Sequence, residues 1–86
     1  MNITLHRNFE KQYKKLRLAQ QAIFKERRTL FLEDPFHPLL NNHPLKGAYV
    51  GHRSFNVGGD LRVIFKPLKR NEVLFVAIGP HTKLYK

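Results

Sequence analysis

The second half of the chain alternates apolar and polar residues with a period of two, and short turn signals interrupt the alternation. Residues 49–57 and 61–68 are typical of two strands joined by a tight turn at Gly58-Gly59. After a second turn at residues 69–72, the apolar run VLFVAIG predicts a third strand. Three consecutive strands with short turns predict an antiparallel meander, which must bury its apolar face against another layer.

The first half of the chain supplies that layer as helices. Residues 2–6 alternate weakly and predict a first strand, and Asn8 is the expected N-cap of the helix that follows. Apolar residues then recur every three to four positions, at Phe9, Tyr13, Leu16, Ala19, Ile23 and Leu30. This spacing fits one bent helix or two short helices with a break at residues 18–20, ending before Pro35. The sequence predicts an α+β fold in one domain, residues 1–86, with an N-terminal strand and two helices packed on one face of the meander.

The chain is strongly basic and has no cysteine. Sixteen Lys and Arg against six Asp and Glu give a formal net charge of +10, beyond the roughly 2–8 that solubility alone recommends. The excess favours a polyanionic partner, either nucleic acid or an acidic protein. No apolar run is long enough to span a bilayer, and no secretory signal pattern is visible. We therefore expect a soluble cytoplasmic protein with no membrane partner.

Four side chains of the second half are suited to phosphodiester chemistry. His43 and His81 each lie beside a proline, which restricts the backbone that carries the imidazole. Asp60 follows the glycine turn, and Arg62 lies in the next strand. RNA carries its own nucleophile, the 2′-hydroxyl, so a protein needs only a base, an acid and positive charge. Each residue also has an ordinary alternative role, as a surface histidine, a turn-capping aspartate or a solvated strand charge.

Other chemistries have few candidate residues. The histidine spacings match no metal-ligand pattern, so we expect no metal and no cofactor. Ser54 is the single serine, which leaves little scope for covalent catalysis. If the helices cover the face that bears Val63 and Phe65, then Arg62, Ile64 and Lys66 share the open face. Arg62 and Lys66 project from it and make it a basic surface that could bind RNA. The expected RNA-binding residues are Lys46, Arg53, Lys66 and Lys83.

These motifs together resemble the RelE/ParE toxin superfamily, and most closely its YafQ-like branch. The resemblance covers the whole element order, and its specific motifs are HPLKG, GHRSFNVGGDLRVIF and IGPHTKLY. It implies a RelE-like microbial ribonuclease-type fold and the toxin of a type II toxin–antitoxin module. The implied activity is metal-independent, ribosome-dependent cleavage of mRNA by 2′-hydroxyl attack. The implied partners are a cognate antitoxin, mRNA in the ribosomal A site and the ribosome with its rRNA.

The resemblance also implies roles for individual residues. His81 corresponds to the general acid, and His43 or Asp60 to the base or to a residue that orients it. Arg62 lies where the wider RelE group has a catalytic arginine, whose guanidinium can form bidentate hydrogen bonds to phosphate. Tyr85 corresponds to an aromatic residue that packs against a nucleobase.

Two positions depart from the branch pattern. Asn56 stands where the branch often has a catalytic histidine, and Leu61 stands where it commonly has tryptophan. Because an asparagine amide cannot transfer a proton, the identity of the base stays open. Two alternatives remain: a ParE-like gyrase inhibitor, and a catalytically silent domain that binds RNA or its antitoxin. The paired His43 and His81 disfavour the gyrase inhibitor, because binding a protein requires no proton donor.

Overall fold

The structure is a computed structural model, and it describes residues 1–84 of the chain. The helices and strands, in chain order, are β1 Asn2–Leu5, α1 Arg7–Lys14, α2 Leu18–Glu33, a 3-10 turn Pro38–Leu40, β2 His43–Pro44, a 3-10 turn Gly47–Tyr49, β3 Arg53–Gly58, β4 Leu61–Pro67, β5 Glu72–Pro80 and α3 His81–Leu84. The predicted α+β fold, with two helices and a meander, is confirmed.

The strands form one mixed five-stranded sheet in the order β1-β5-β4-β3-β2. Strands β3, β4 and β5 pair antiparallel, as the alternation predicted. At one edge β1 runs parallel to β5, with Ile3 opposite Val73. At the other edge β2 pairs antiparallel with β3, with His43 opposite Ser54. The sequence did not indicate β2, because this strand has only two residues. It lies at the end of the proline-rich connector, residues 35–44, which joins α2 to the rest of the sheet.

The third strand begins four residues later than the alternation indicated. A strand starting at Tyr49 was predicted, but β3 starts at Arg53. The intervening chain forms a 3-10 turn, and Gly47 and Gly51 have φ angles of 64° and 88°. Such positive angles suit glycine and interrupt an extended strand. The segment therefore folds over the sheet instead of extending it.

The helical segment breaks at residues 15–17, just before the expected position. Its N-cap is His6, which corrects the expectation of Asn8, because the His6 Nδ1 accepts the Asn8 backbone N–H at 3.0 Å. The Asn8 side chain instead donates to the Val76 carbonyl at 3.1 Å, and the Gln12 Oε1 accepts the Ile78 N–H at 2.9 Å. Since β1 ends opposite Phe75, these α1 side chains satisfy the edge of β5 that β1 leaves unpaired.

The main core lies between α1, α2 and one face of the sheet. It is built on six buried phenylalanines: Phe9, Phe24, Phe31, Phe55, Phe65 and Phe75. Their rings meet in stacked, tilted and edge-on pairs, the closest having centroids 4.9 Å apart. Such pairs are worth about 0.5–1.5 kcal/mol each beyond the area they bury. This aromatic core packs against the sheet on the side opposite the face that carries the candidate site.

A second, smaller core covers part of the opposite face. Ile64, Ala77 and Leu84 are buried there, and Leu45 and Tyr49 pack against them. The expectation of an open face was therefore wrong at its centre, because α3 and the segment before β3 fold over Ile64. A bulge in β5 opposite Ile64/Phe65 shifts the alternation, so Ala77 faces this second core.

Candidate functional site

Polar side chains from three strands share the sheet face opposite α1 and α2. His43 is paired with Ser54, and Asn56 is paired with Arg62. Residues directly opposite in an antiparallel ladder project to the same face. Because Ser54 and Asn56 alternate with the core residue Phe55, this face is the one away from the helices. His43 and Arg62 therefore lie on one face, two strand spacings (roughly 10 Å) apart across the sheet and two residues (roughly 7 Å) apart along it.

The β3–β4 turn and the end of β5 bring Asp60 and His81 together. The His81 backbone N–H donates to the Asp60 carbonyl at 2.9 Å. One step along the ladder, Leu61 pairs with Pro80, and Arg62 pairs with Gly79. Asp60, Arg62 and His81 thus lie at the same end of the sheet. Asp60 and His81 are exposed, whereas Arg62 is half-buried.

The Arg62 guanidinium is partly engaged in the β3–β4 turn. Its Nη1 donates to the Gly59 carbonyl at 2.8 Å and to the Leu61 carbonyl at 3.1 Å. No other acceptor within residues 1–84 is bonded to its Nε or Nη2 groups. These two nitrogens form one edge of the guanidinium fork, which is the geometry that binds a phosphate through two hydrogen bonds.

A backbone carbonyl fixes the tautomer of His43. Its Nδ1 lies 2.7 Å from the Asn41 carbonyl oxygen. Because a carbonyl can only accept, the Nδ1 carries the hydrogen, and in the neutral ring the Nε2 keeps a free lone pair. Asn41 holds this carbonyl in place from a left-handed conformation, φ 47°, at the end of the first 3-10 turn. Nothing in the sequence pattern singled out Asn41 for this role.

Three other histidines have different environments. The Nδ1 of His6 and the Nδ1 of His37 each accept a backbone N–H, at 3.0 and 3.1 Å, and cap helical turns. The His52 ring packs edge-on against Tyr49 with centroids 5.8 Å apart, and its Nδ1 is buried without a partner. His6 and His37 thus hold the tautomer opposite to that of His43.

Arg53 lies on the other face of the sheet from His43. Its Nε donates to the Asn42 Oδ1 at 2.7 Å, and its guanidinium carbon lies 5.3 Å from the centre of the Phe36 ring. The Asn42 amide in turn donates to the Pro35 carbonyl at 2.9 Å. Arg53 therefore stabilises the connector that carries His43. It does not lie on the polar face, where RNA contacts were expected.

The remaining expected RNA-binding lysines are spread around the domain. Lys46, Lys66 and Lys83 are all exposed. Lys83 lies in α3 close to His81, whereas Lys66 pairs with Leu74 near the far end of the sheet. Tyr85, the expected stacking residue, lies outside the described residues.

Asn56 carries an unsatisfied polar atom in this site. Its Oδ1 is buried and has no hydrogen-bond partner. The opposite residue on β4 is Arg62, whose guanidinium bonds to the turn instead. An unpaired buried oxygen costs about 1–3 kcal/mol, so the polar face retains unfilled hydrogen-bonding capacity next to the arginine.

The positive charge of the described chain is not neutralised internally. Between residues 1 and 84, no Lys or Arg side chain forms an ion pair with an Asp or Glu. In the same range no three His, Asp or Glu side chains are grouped closely enough to hold a metal ion. No helix in this range is long and apolar enough to cross a membrane.

Comparison with known proteins identifies the family. The sequence model of a family described as "Bacterial toxin of type II toxin-antitoxin system, YafQ" matches residues 1–86. No curated protein sequence matches the chain. Among solved structures, YafQ from E. coli strain BL21(DE3) superposes with a TM-score of 0.79 at 25% identity, covering 99% of this chain and 98% of that one.

Two further structures are similar. YafQ in the E. coli DinJ–YafQ complex has a TM-score of 0.75 and 25% identity, with 99% of this chain and 98% of that chain covered. A YoeB/ParE toxin from Agrobacterium tumefaciens has a TM-score of 0.78, covers 94% of this chain and 99% of its own, and is 15% identical, so it shows the fold alone. The family predicted from the motifs is confirmed: the chain belongs to the YafQ family of bacterial toxins of type II toxin–antitoxin systems.

Proposed function

We propose that this toxin is a metal-independent endoribonuclease that cuts mRNA in the ribosomal A site. The observation that carries the proposal is the placement of Asp60, Arg62 and His81 at one end of the sheet, with His43 on the same face as Arg62. Their combined chemistry provides proton transfer and phosphate binding without a metal ion. The formal net charge of +10 supports a polyanionic substrate.

In this mechanism the Nε2 of His43 acts as the general base. It takes the proton of the ribose 2′-hydroxyl while the 2′-oxygen forms a bond to the adjacent phosphorus. The Nδ1–H to Asn41 carbonyl bond supports this role, because it leaves the Nε2 unprotonated and oriented. We favour His43 over Asp60 as the base for this reason, and Asp60 then helps to orient the groups around His81.

Arg62 and His81 complete the reaction. The Nε and Nη2 edge of Arg62 binds the non-bridging oxygens, whose negative charge rises as the phosphorane forms. His81, in its protonated form, donates a proton to the 5′-oxygen as the P–O5′ bond breaks. The products are a 2′,3′-cyclic phosphate and a free 5′-hydroxyl, so bonds and protons balance. Tyr85 is the residue we assign to stacking on a nucleobase.

The partners follow from the family. Relatives were crystallised as DinJ–YafQ complexes, and we infer that a cognate antitoxin binds this chain as well. We also infer contacts with rRNA and with A-site mRNA, for which Lys46, Lys66 and Lys83 provide exposed positive charge. Arg53 contributes indirectly, through the connector that carries His43.

Expression of the toxin without an antitoxin tests the proposal. The wild type should arrest growth and leave mRNA fragments that end in 2′,3′-cyclic phosphate, and His81→Ala should relieve the arrest. His6→Asn is a matched control, because it removes an imidazole away from the site while asparagine can still cap α1. An unchanged arrest with His81→Ala would remove His81 as the acid. A DNA damage response that precedes translation arrest would favour a gyrase inhibitor instead.

The Asn56 side chain, whose Oδ1 has no partner, favours one competing function, a catalytically silent binder. Asn56 lies opposite Arg62 on the polar face and cannot shuttle a proton. Incubation of the purified protein with ribosome-bound mRNA separates the two functions. Cleavage excludes the silent binder, whereas binding of the ribosome complex without cleavage would support it.

A further inference from the structure

Two adjoining cavities form a groove at the end of the sheet, beside the candidate site. Each has a volume of about 370 Å³, and Gln20 and Pro80 belong to the walls of both. Asp60 lines one cavity and Lys83 lines the other. We call this feature the end groove. It passes between the α1–α2 connection and the last residues of β5, immediately before His81.

The end groove combines an aliphatic floor with a basic rim. Its floor is formed by Leu16, Ile23, Leu61, Ile78 and Leu84. Its rim carries the basic residues Lys15, Arg17 and Lys83, all exposed, and one acid, Asp60. None of the three basic side chains makes a hydrogen bond or ion pair with the described part of the chain. They are available to an external ligand.

The position of Arg17 does not serve helix stability. Arg17 is the N-cap of α2, whose first turn contains no acidic residue, whereas Lys15 is the C-cap of α1, where a positive charge is favourable. Positive charge at a helix N-terminus opposes the helix dipole, typically by about 0.3–1 kcal/mol for each charge. A bound anion would relieve this repulsion. The charge of Arg17 at this helix end therefore points to a negatively charged ligand.

We propose that the end groove binds the RNA strand on one side of the scissile phosphate. Lys15, Arg17 and Lys83 contact its phosphates, and the aliphatic floor receives the sugar and the face of a base. This inference rests on the proposed nuclease function, because the strand is the one being cut. The groove is continuous with the candidate site, which supports this proposal. Asp60 lines the groove, and His81 directly follows Pro80, which also lines it.

The lining of the groove favours RNA over an acidic protein segment. Protein partners are usually anchored by large side chains in well-packed pockets, and the domain has a better pocket for that purpose elsewhere. A separate cleft of about 280 Å³ between α1 and α2 has aromatic walls from Phe9, Tyr13 and Phe24. The end groove has no aromatic residue among its described walls, and its charged rim adjoins the candidate site.

The test measures binding of a short single-stranded RNA that is 2′-O-methylated at every ribose. This RNA cannot be cut, because it has no free 2′-hydroxyl, so binding is separated from catalysis. The variant is Lys15→Gln/Arg17→Gln. The matched control is Lys69→Gln/Arg70→Gln, which removes the same charges from the exposed β4–β5 turn at the opposite end of the sheet.

The expected result follows from counterion release. Loss of two phosphate contacts should reduce the slope of log affinity against log salt by about 1.4, and affinity by about 25-fold at 0.1 M salt. The control variant should keep the slope of the wild type. If both variants lose affinity equally, the groove contributes only bulk charge and the inference is overturned.

Two further binding measurements distinguish the RNA strand from other ligands of the groove. Unchanged affinity for the oligonucleotide with weaker binding to the small ribosomal subunit would assign the groove to rRNA and overturn the inference. Selective loss of binding to a polyglutamate peptide would assign it to an acidic protein, with the same consequence. Failure of the nuclease proposal is distinguishable from failure of the groove: a wild type that binds RNA through Lys15 and Arg17 but never cuts mRNA would refute the nuclease and retain RNA binding by the groove.

Discussion

Replacing Arg53 with alanine should destabilise the fold without weakening RNA binding directly. The side chain makes a charge-assisted hydrogen bond of 2.7 Å to Asn42 and lies over the ring of Phe36 at 5.3 Å. A hydrogen bond to a charged group contributes about 1.5–3 kcal/mol, and a cation–π contact contributes about 0.5–1 kcal/mol. Their joint loss should therefore lower the free energy of unfolding by about 2–4 kcal/mol. That is a large fraction of the roughly 5–15 kcal/mol of a typical domain.

Urea unfolding followed by circular dichroism measures this change. A loss of 2 kcal/mol corresponds to a fall in Tm of about 8–16 °C for a domain of this size. Arg53→Lys should give an intermediate value, because lysine keeps the charge but cannot reproduce the planar contact with Phe36. Lys66→Gln, at an exposed strand position, should change stability by less than about 0.5 kcal/mol.

The binding readout completes the test of Arg53. With the 2′-O-methylated RNA, Arg53→Ala should keep the salt dependence of the wild type as long as the protein is folded. Wild-type stability combined with a reduced slope of log affinity against log salt would refute the reasoning. Arg53 would then be a phosphate ligand and not a residue that stabilises the connector.

Three further predictions concern single contacts. His43→Gln should abolish mRNA cleavage while leaving affinity for the uncleavable RNA within about threefold, because the amide cannot act as a base; retained cleavage would transfer that role to Asp60. Gly58→Ala should cost about 1–3 kcal/mol in urea unfolding, since φ is 155° and the new Cβ would lie 3.2 Å from the Ile23 Cγ2. Leu84→Ala should cost about 2–3 kcal/mol by emptying the second core beneath His81, and a cost below about 1 kcal/mol would show that α3 is not anchored there.

The meander and the helix layer were predictable because their signals are local. Apolar residues two apart in β3 to β5, and three to four apart in α1 and α2, each define one buried face. Pro35 marks the helix end in the same local way, and α2 stops at Glu33. His6 was not predicted as the cap, because its imidazole competes with Asn8 for that role and asparagine is the commoner choice.

The second core and the environment of the site were not predictable, because they depend on contacts distant in sequence. Ile64 alternates with Arg62 and Lys66, so it was placed on an exposed face. Its cover comes from Leu45 and Leu84, about twenty residues away on either side. The Asn41 carbonyl that orients His43, and the Asn42 amide that engages Arg53, belong to a connector without regular structure. Their positions are set by tertiary packing and not by a sequence period.

The parallel pairing of β1 with β5 has a consequence for the order of folding. Asn2 meets Glu72 across the sheet, whereas the β3–β4 hairpin closes between Gly58 and Leu61. By the scaling of loop-closure entropy with length, the first contact costs roughly 2.5 kcal/mol more than the second. The meander should therefore form first and offer β5 as a template, with β1 docking as a late and slower step.

That docking also brings α1 to the sheet. There the Gln12 side chain accepts the Ile78 N–H on the edge of β5 that β1 leaves unpaired. Lys15 and Leu16, which form one wall of the end groove, reach their places in the same step. The polar face can thus be assembled early from contiguous chain. The groove beside it is completed only when the two distant parts of the sequence meet.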